Sequence, residues 1–116
     1  MSREITTEEI REQFIRHLHH LVDYWANLPE DCREGRDPAS WRIDGVVFSV
    51  LSALDGCTMG FPGFIVAPIP HVDAKEYNIS EGNDYYPENS SIDVKGDIGG
   101  ALHEYFSMSN QEEKNK

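Results

Sequence analysis

The segment WRIDGVVFSVLSAL, residues 41–54, constrains the fold more than any other stretch of the chain. Its pattern predicts a helix, yet Val46, Val47, Phe48, Val50, Leu51 and Leu54 crowd more than one of its faces. A helix that is apolar on several sides must be covered on several sides. It is therefore expected to be the central, most buried helix, packed by an N-terminal helix on one side and by later segments on another. Asp37-Pro38 opens it as an N-cap followed by proline at the first helical position. Asp55-Gly56 closes it, with glycine suited to the left-handed position beyond the cap. Gly45, which costs about 1 kcal/mol inside a helix, marks a close backbone approach.

The N-terminal helix has equally clear signals. Thr6 and Glu9 form a capping box, and Ile5 with Ile10 stand at the two positions of a hydrophobic staple. Ile10, Phe14, Leu18, Leu21, Trp25 and Leu28 then step by three or four residues along one stripe, as a one-faced helix requires. Pro29 ends it. Arg11, Glu12, Arg16, His20 and Asp23 fall largely off the stripe and are expected in solvent.

Beyond residue 56 the pattern changes. Gly60-Phe61-Pro62-Gly63 reads as a turn, and Phe64-Ile65-Val66-Ala67 as a short buried strand that Pro68 and Pro70 cannot extend except at an edge. Residues 76–79 and 91–94 alternate weakly enough to serve as its partners. Residues 81–87 read as a turn carrying two tyrosines. Asp97 is placed to cap a short last helix through Ala101, Leu102, Tyr105 and Phe106, and the polar stretch from Ser109 reads as a flexible tail. The fold class expected is α+β: two long N-terminal helices packed on a small β and irregular C-terminal half, with residues 1–108 as a single domain and residues 109–116 as the tail. A chain of 116 residues, 39% of them hydrophobic, supplies one modest core.

The chain carries 21 acidic and 10 basic side chains, a formal charge of −11. That excess argues against direct nucleic-acid binding and against anionic membrane surfaces, both of which depend on Lys and Arg. No apolar run reaches membrane-spanning length and the first residues lack a leader's apolar core, so a cytoplasmic protein is expected. The charge is uneven: residues 1–54 hold ten acids and six arginines, whereas residues 55–104 hold nine acids and only Lys75 and Lys95. The tyrosines Tyr77, Tyr85 and Tyr86 interleave with those acids, a composition suited to a protein interface. Asp73, Glu76, Glu81, Asp84, Tyr85, Tyr86, Glu88 and Asp93 are the expected binding surface.

The competing chemistry is a divalent metal held by His71, Asp73 and His103, which would give a metal-binding domain or metal-dependent hydrolase. The spacing matches no established zinc pattern. His17, His19 and His20 are not spaced as a ligand set, and Cys32 and Cys57 show no CxxC spacing, so they read as buried or idle thiols. No nucleophile elbow, phosphate loop or dinucleotide fingerprint occurs. No cofactor other than that metal is expected.

The order Trp41-Arg42-Ile43-Asp44-Gly45, Phe48-Ser49-x-Leu51-Ser52-x-Leu54-Asp55-Gly56, Pro70-His71-x-Asp73-x-Lys75-Glu76-Tyr77, Glu81-Gly82-Asn83-x-Tyr85-Tyr86-Pro87 and Leu102-His103-Glu104 resembles small uncharacterised proteins encoded in bacterial and phage genomes. The resemblance covers residues 41–104. It implies a bacterial or mobile-element setting and no particular activity. The functional expectation is a small, acidic, non-enzymatic interaction protein that binds a basic partner, such as an inhibitor that mimics nucleic acid against a nucleic-acid-handling protein.

Overall fold

A computed structural model describes residues 2–29, 31, 35–88 and 94–114, without the side chains of residues 110–114. The described residues contain four helices and no strand: α1 (Thr7–Ala26), α2 (Pro38–Leu54), α3 (Ala74–Ser80) and α4 (Leu102–Lys114). They divide into two compact units, Met1–Gly63 with Gly96–Lys116, and Phe64–Lys95.

The expected α+β class is thus overturned: among the described residues no strand forms, and residues expected in a ladder take other structure. Residues 64–67 belong to no ladder, and the alternating residues 76–79 fall inside α3 instead. Helix α3 satisfies backbone groups within itself rather than across a ladder. Its C-terminus is closed by Gly82 at φ 73°, with Asn83 N–H donating to the Asn78 carbonyl at 2.8 Å and Gly82 N–H to that of Ile79 at 3.1 Å. These are the two bonds of a Schellman ending. Of the other proposed partner, residues 91–93 lie outside the described residues, and Val94 is in no regular element.

In the larger unit the starts of α1 and α2 follow the sequence signals. Thr6 Oγ1 accepts the Glu9 N–H and Glu9 Oε1 accepts the Thr6 N–H, both at 3.2 Å. Hydrogen bonding from Arg3, then from Thr6, holds the Glu9 carboxylate down to about 2. Ile5, by contrast, remains exposed. Asp37 caps α2 by accepting the Ser40 N–H at 3.0 Å. Gly56, at φ 83°, ends α2 as expected, with Cys57 N–H on the Ser52 carbonyl at 2.9 Å. Asp97 does not cap the last helix: its Oδ1 accepts the Gly99 N–H at 2.9 Å, and α4 begins only at Leu102. That helix then runs through most of the stretch that reads as a tail.

The central helix is α1, which packs against both α2 and α4. Its buried face is accordingly wider than one stripe and takes in Ile15 and His19 beside Phe14. With Trp41, Ala53 and Ile98 these form the buried set. On the α4 side the His19 ring stacks on Phe106 with centroids 4.0 Å apart, and its Nε2 lies 3.0 Å from the Phe106 carbonyl oxygen. Because a carbonyl only accepts, Nε2 carries the proton. Arg11 lies over the Tyr105 ring at 4.6 Å and donates to the Ile98 carbonyl at 3.4 Å.

On the α2 side the fit is tighter. A Cβ on Gly45 would stand 2.4 Å from the Trp25 ring. That ring is fixed by its Nε1–H to Ser49 Oγ at 3.1 Å and by an edge contact with Trp41 at 5.2 Å. Arg42 reaches back to the open end of α1, donating to the Trp25 carbonyl, to that of Ala26 at 2.8 Å and to that of Leu28 at 2.9 Å. The last turn of α1 holds no basic residue of its own, so Arg42 both satisfies carbonyls and complements the helix dipole.

The expectation that α2 is the most buried helix is also overturned. Only Trp41, Gly45 and Ala53 of α2 are buried, while Ile43, Val47, Phe48 and Leu51 are 64, 53, 72 and 54% exposed. Among the described helices, α1 alone packs on it.

Two substitutions test this joint. Gly45→Ala gains helix propensity but overpacks a held indole ring, for a net loss of about 1–2 kcal/mol in urea unfolding. Arg42→Met keeps much of the apolar stem and leaves three carbonyls without their charged donor, costing about 2 kcal/mol in the same measurement.

Candidate interaction surface

The residues expected to form a binding surface fall together in the unit Phe64–Lys95. Asp73, at the N-terminal end of α3, and Glu76 on it are exposed, as are Glu81, Asp84, Tyr85, Tyr86 and Glu88 in the segment that follows. Tyr77 on α3 is exposed as well. Asp93 lies outside the described residues. Residues 64–95 hold six carboxylates and only two basic side chains, Lys75 and Lys95.

Lys75 ties the two halves of this surface together. Its Nζ lies 3.9 Å from Glu88 Oε1 and 5.4 Å from the centre of the Tyr85 ring. The first contact is a half-exposed ion pair of about 0–1 kcal/mol, and the second a cation–π contact of about 0.5–1 kcal/mol. Together they draw the 81–88 segment onto α3, so that carboxylates distant in sequence share one small unit. Sequence reasoning found the acids and tyrosines but not this lysine, whose signal was its place as one of two cations in an acidic stretch.

The metal candidates separate into local pairs. His71 Nδ1 accepts the Asp73 N–H at 3.2 Å and lies 3.7 Å from Asp73 Oδ2. His103 Nε2 lies 3.6 Å from Glu104 Oε1, in the other unit. All four side chains are exposed, and among the described residues no three His, Cys, Asp or Glu side chains are grouped to hold a metal. Cys57 is exposed rather than buried, and Cys32 lies outside the described residues.

The three N-terminal histidines go to three environments. His19 is buried on α4, His20 is exposed, and His17 packs on Phe61 with ring centres 4.8 Å apart. A mixed-charge cleft of about 420 Å3 beside α1 and α4 sets Glu8 and Glu12 against Arg11 and Arg16. It has no single electrostatic sense to select a ligand.

No family model, curated protein or solved structure matches the chain. The likeness over residues 41–104 therefore contributes no activity. Among the described residues no helix is long and apolar enough to cross a membrane.

Burial, and then the neighbouring His20, push the His17 imidazole below its ordinary value near 6.5. The folded state thus binds this proton less readily than the unfolded chain does. The contribution of His17 to stability is complete above pH 6.5 and is lost as the pH falls through the lower folded value. Urea midpoints measured at descending pH will fall in the wild type, and His17→Gln will flatten that dependence.

Proposed function

We propose that this protein is a non-enzymatic interaction protein whose acidic, tyrosine-bearing unit binds a basic protein, acting as a mimic of nucleic acid towards a nucleic-acid-handling factor. The observation that carries the reading is the gathering of exposed carboxylates and tyrosines in residues 64–95 around a single tethering lysine, Lys75. Carboxylates spaced along a surface steer a basic partner by long-range attraction. Tyrosines supply contact area at little entropic cost once the partner has arrived. The Lys75 contacts present those groups on one short helix and the segment behind it, and within residues 64–95 only two lysines offset six carboxylates.

Titration of the full chain against a panel of basic nucleic-acid-handling proteins tests the reading. Binding should weaken steeply as NaCl rises from about 50 to about 500 mM, since the screening length shortens over that range. Replacing Glu76, Glu81 and Asp84 by their amides should weaken binding and flatten its salt dependence. Tyr86→Ala should weaken it by roughly tenfold with the salt dependence retained. Absence of binding across the panel, or binding indifferent to salt and to the amide substitutions, would sink the proposal.

A further inference from the structure

The acidic unit carries more than charge, and its rings narrow the class of partner. Granted that this unit binds a basic nucleic-acid-handling protein, as proposed above, we infer that the partner is of the kind that holds single-stranded nucleic acid in a basic groove lined with aromatic side chains, and that residues 73–88 imitate the strand.

The order of groups along the unit selects a single strand over a duplex. Asp73 at the N-cap of α3, Tyr77 within it and Glu81 at its C-cap recur every four residues, so they follow one another along one side of the helix at steps of about 6 Å. A ring thus stands between two carboxylates. In the segment that follows, which forms no regular element, Asp84 and Glu88 bracket Tyr85 and Tyr86. The same alternation of charge and ring recurs there on a second piece of backbone, whose four steps span at most about 14 Å.

The rings are presented for contact. Tyr77, Tyr85 and Tyr86 are 62, 50 and 69% exposed, so they offer surface to a partner instead of filling a core. One of them already receives a cation. Lys75 Nζ lies 5.4 Å from the centre of the Tyr85 ring, the kind of contact that an arginine in a strand-binding groove makes with a base.

A duplex stacks its bases inside and meets a basic surface with an outer array of phosphates. Carboxylates alone suffice to copy it. A single strand displays bases beside its phosphates, and the proteins that hold it combine a positive groove with aromatic platforms on which successive bases stack. Rings interleaved with carboxylates copy this second pattern, and because such platforms accept any π-face, a tyrosine can stand where a base would.

Competition measured by fluorescence anisotropy tests the inference, with the full chain titrated into two preformed complexes. One is a fluorescent oligothymidylate on a single-strand-binding protein whose groove carries stacking aromatics, and the other a fluorescent duplex on a basic helix-turn-helix protein. The chain should displace the single strand at concentrations at least ~tenfold lower than it displaces the duplex. Tyr77→Leu and Tyr86→Leu, which keep apolar bulk and lose the ring, should each weaken that displacement roughly tenfold with unchanged far-ultraviolet circular dichroism, whereas Tyr86→Phe should retain it. Displacement of the duplex alone, equal displacement of both, or indifference to the leucine substitutions would overturn the inference and leave the broader reading of the unit standing. Failure to bind either protein would overturn both.

Discussion

The contact of the Trp25 ring with the bare backbone of Gly45 is the constraint on which the larger unit depends. An indole can lie against a helix axis only where no Cβ intervenes, and the closeness of that approach fixes where α1 and α2 cross. Arg42 acts on the same joint from the other direction, binding the carbonyls at the end of α1 from a position three residues before Gly45. One side chain of α1 thus enters α2, and one side chain of α2 closes α1. The reciprocity lets a small core suffice: among the described residues no large side chain is wholly buried.

α4 is held differently. Its contacts with α1 are aromatic and polar, with His19 on Phe106 and Arg11 on Tyr105. The hydrogen bond from His19 fixes a single carbonyl of α4 and so sets the register of that helix along α1. A buried imidazole with a satisfied N–H serves this purpose better than an aliphatic residue would, because apolar contacts are non-directional.

The local rules were legible in the sequence, and the long-range ones were not. Thr6, Asp37 and Gly56 announced the helix ends because capping chemistry is confined to a few adjacent residues. Gly45 announced a close approach because nothing else justifies glycine in mid-helix. Residues 64–67 misled because a β-branched run reports only a liking for extended backbone, and pairing is decided elsewhere in the chain. Asp97 misled for a related reason: aspartate bonds its own backbone two residues on as readily as it caps a helix. The apolar residues of α2 were visible but ambiguous, since composition does not distinguish a face that meets the chain's own core from one that stays outside it. The acidic stretch was legible as charge, but its gathering onto α3 depends on Lys75, whose reach towards Glu88 and Tyr85 no spacing rule foretells.

The larger unit is assembled from two separate pieces of chain, residues 1–63 and 96–116, with residues 64–95 spliced between them. The contacts that tie α1 to the returning piece, His19 with Phe106 and Arg11 with Ile98, each span 87 residues of sequence. Closing so long a loop carries a cost that grows only with the logarithm of its length, about 0.6 kcal/mol for each doubling. The helical scaffold is therefore nearly indifferent to how much chain the insert contains. In loop-closure terms the insert behaves as a cassette: its length can change at little cost to the helices that carry it.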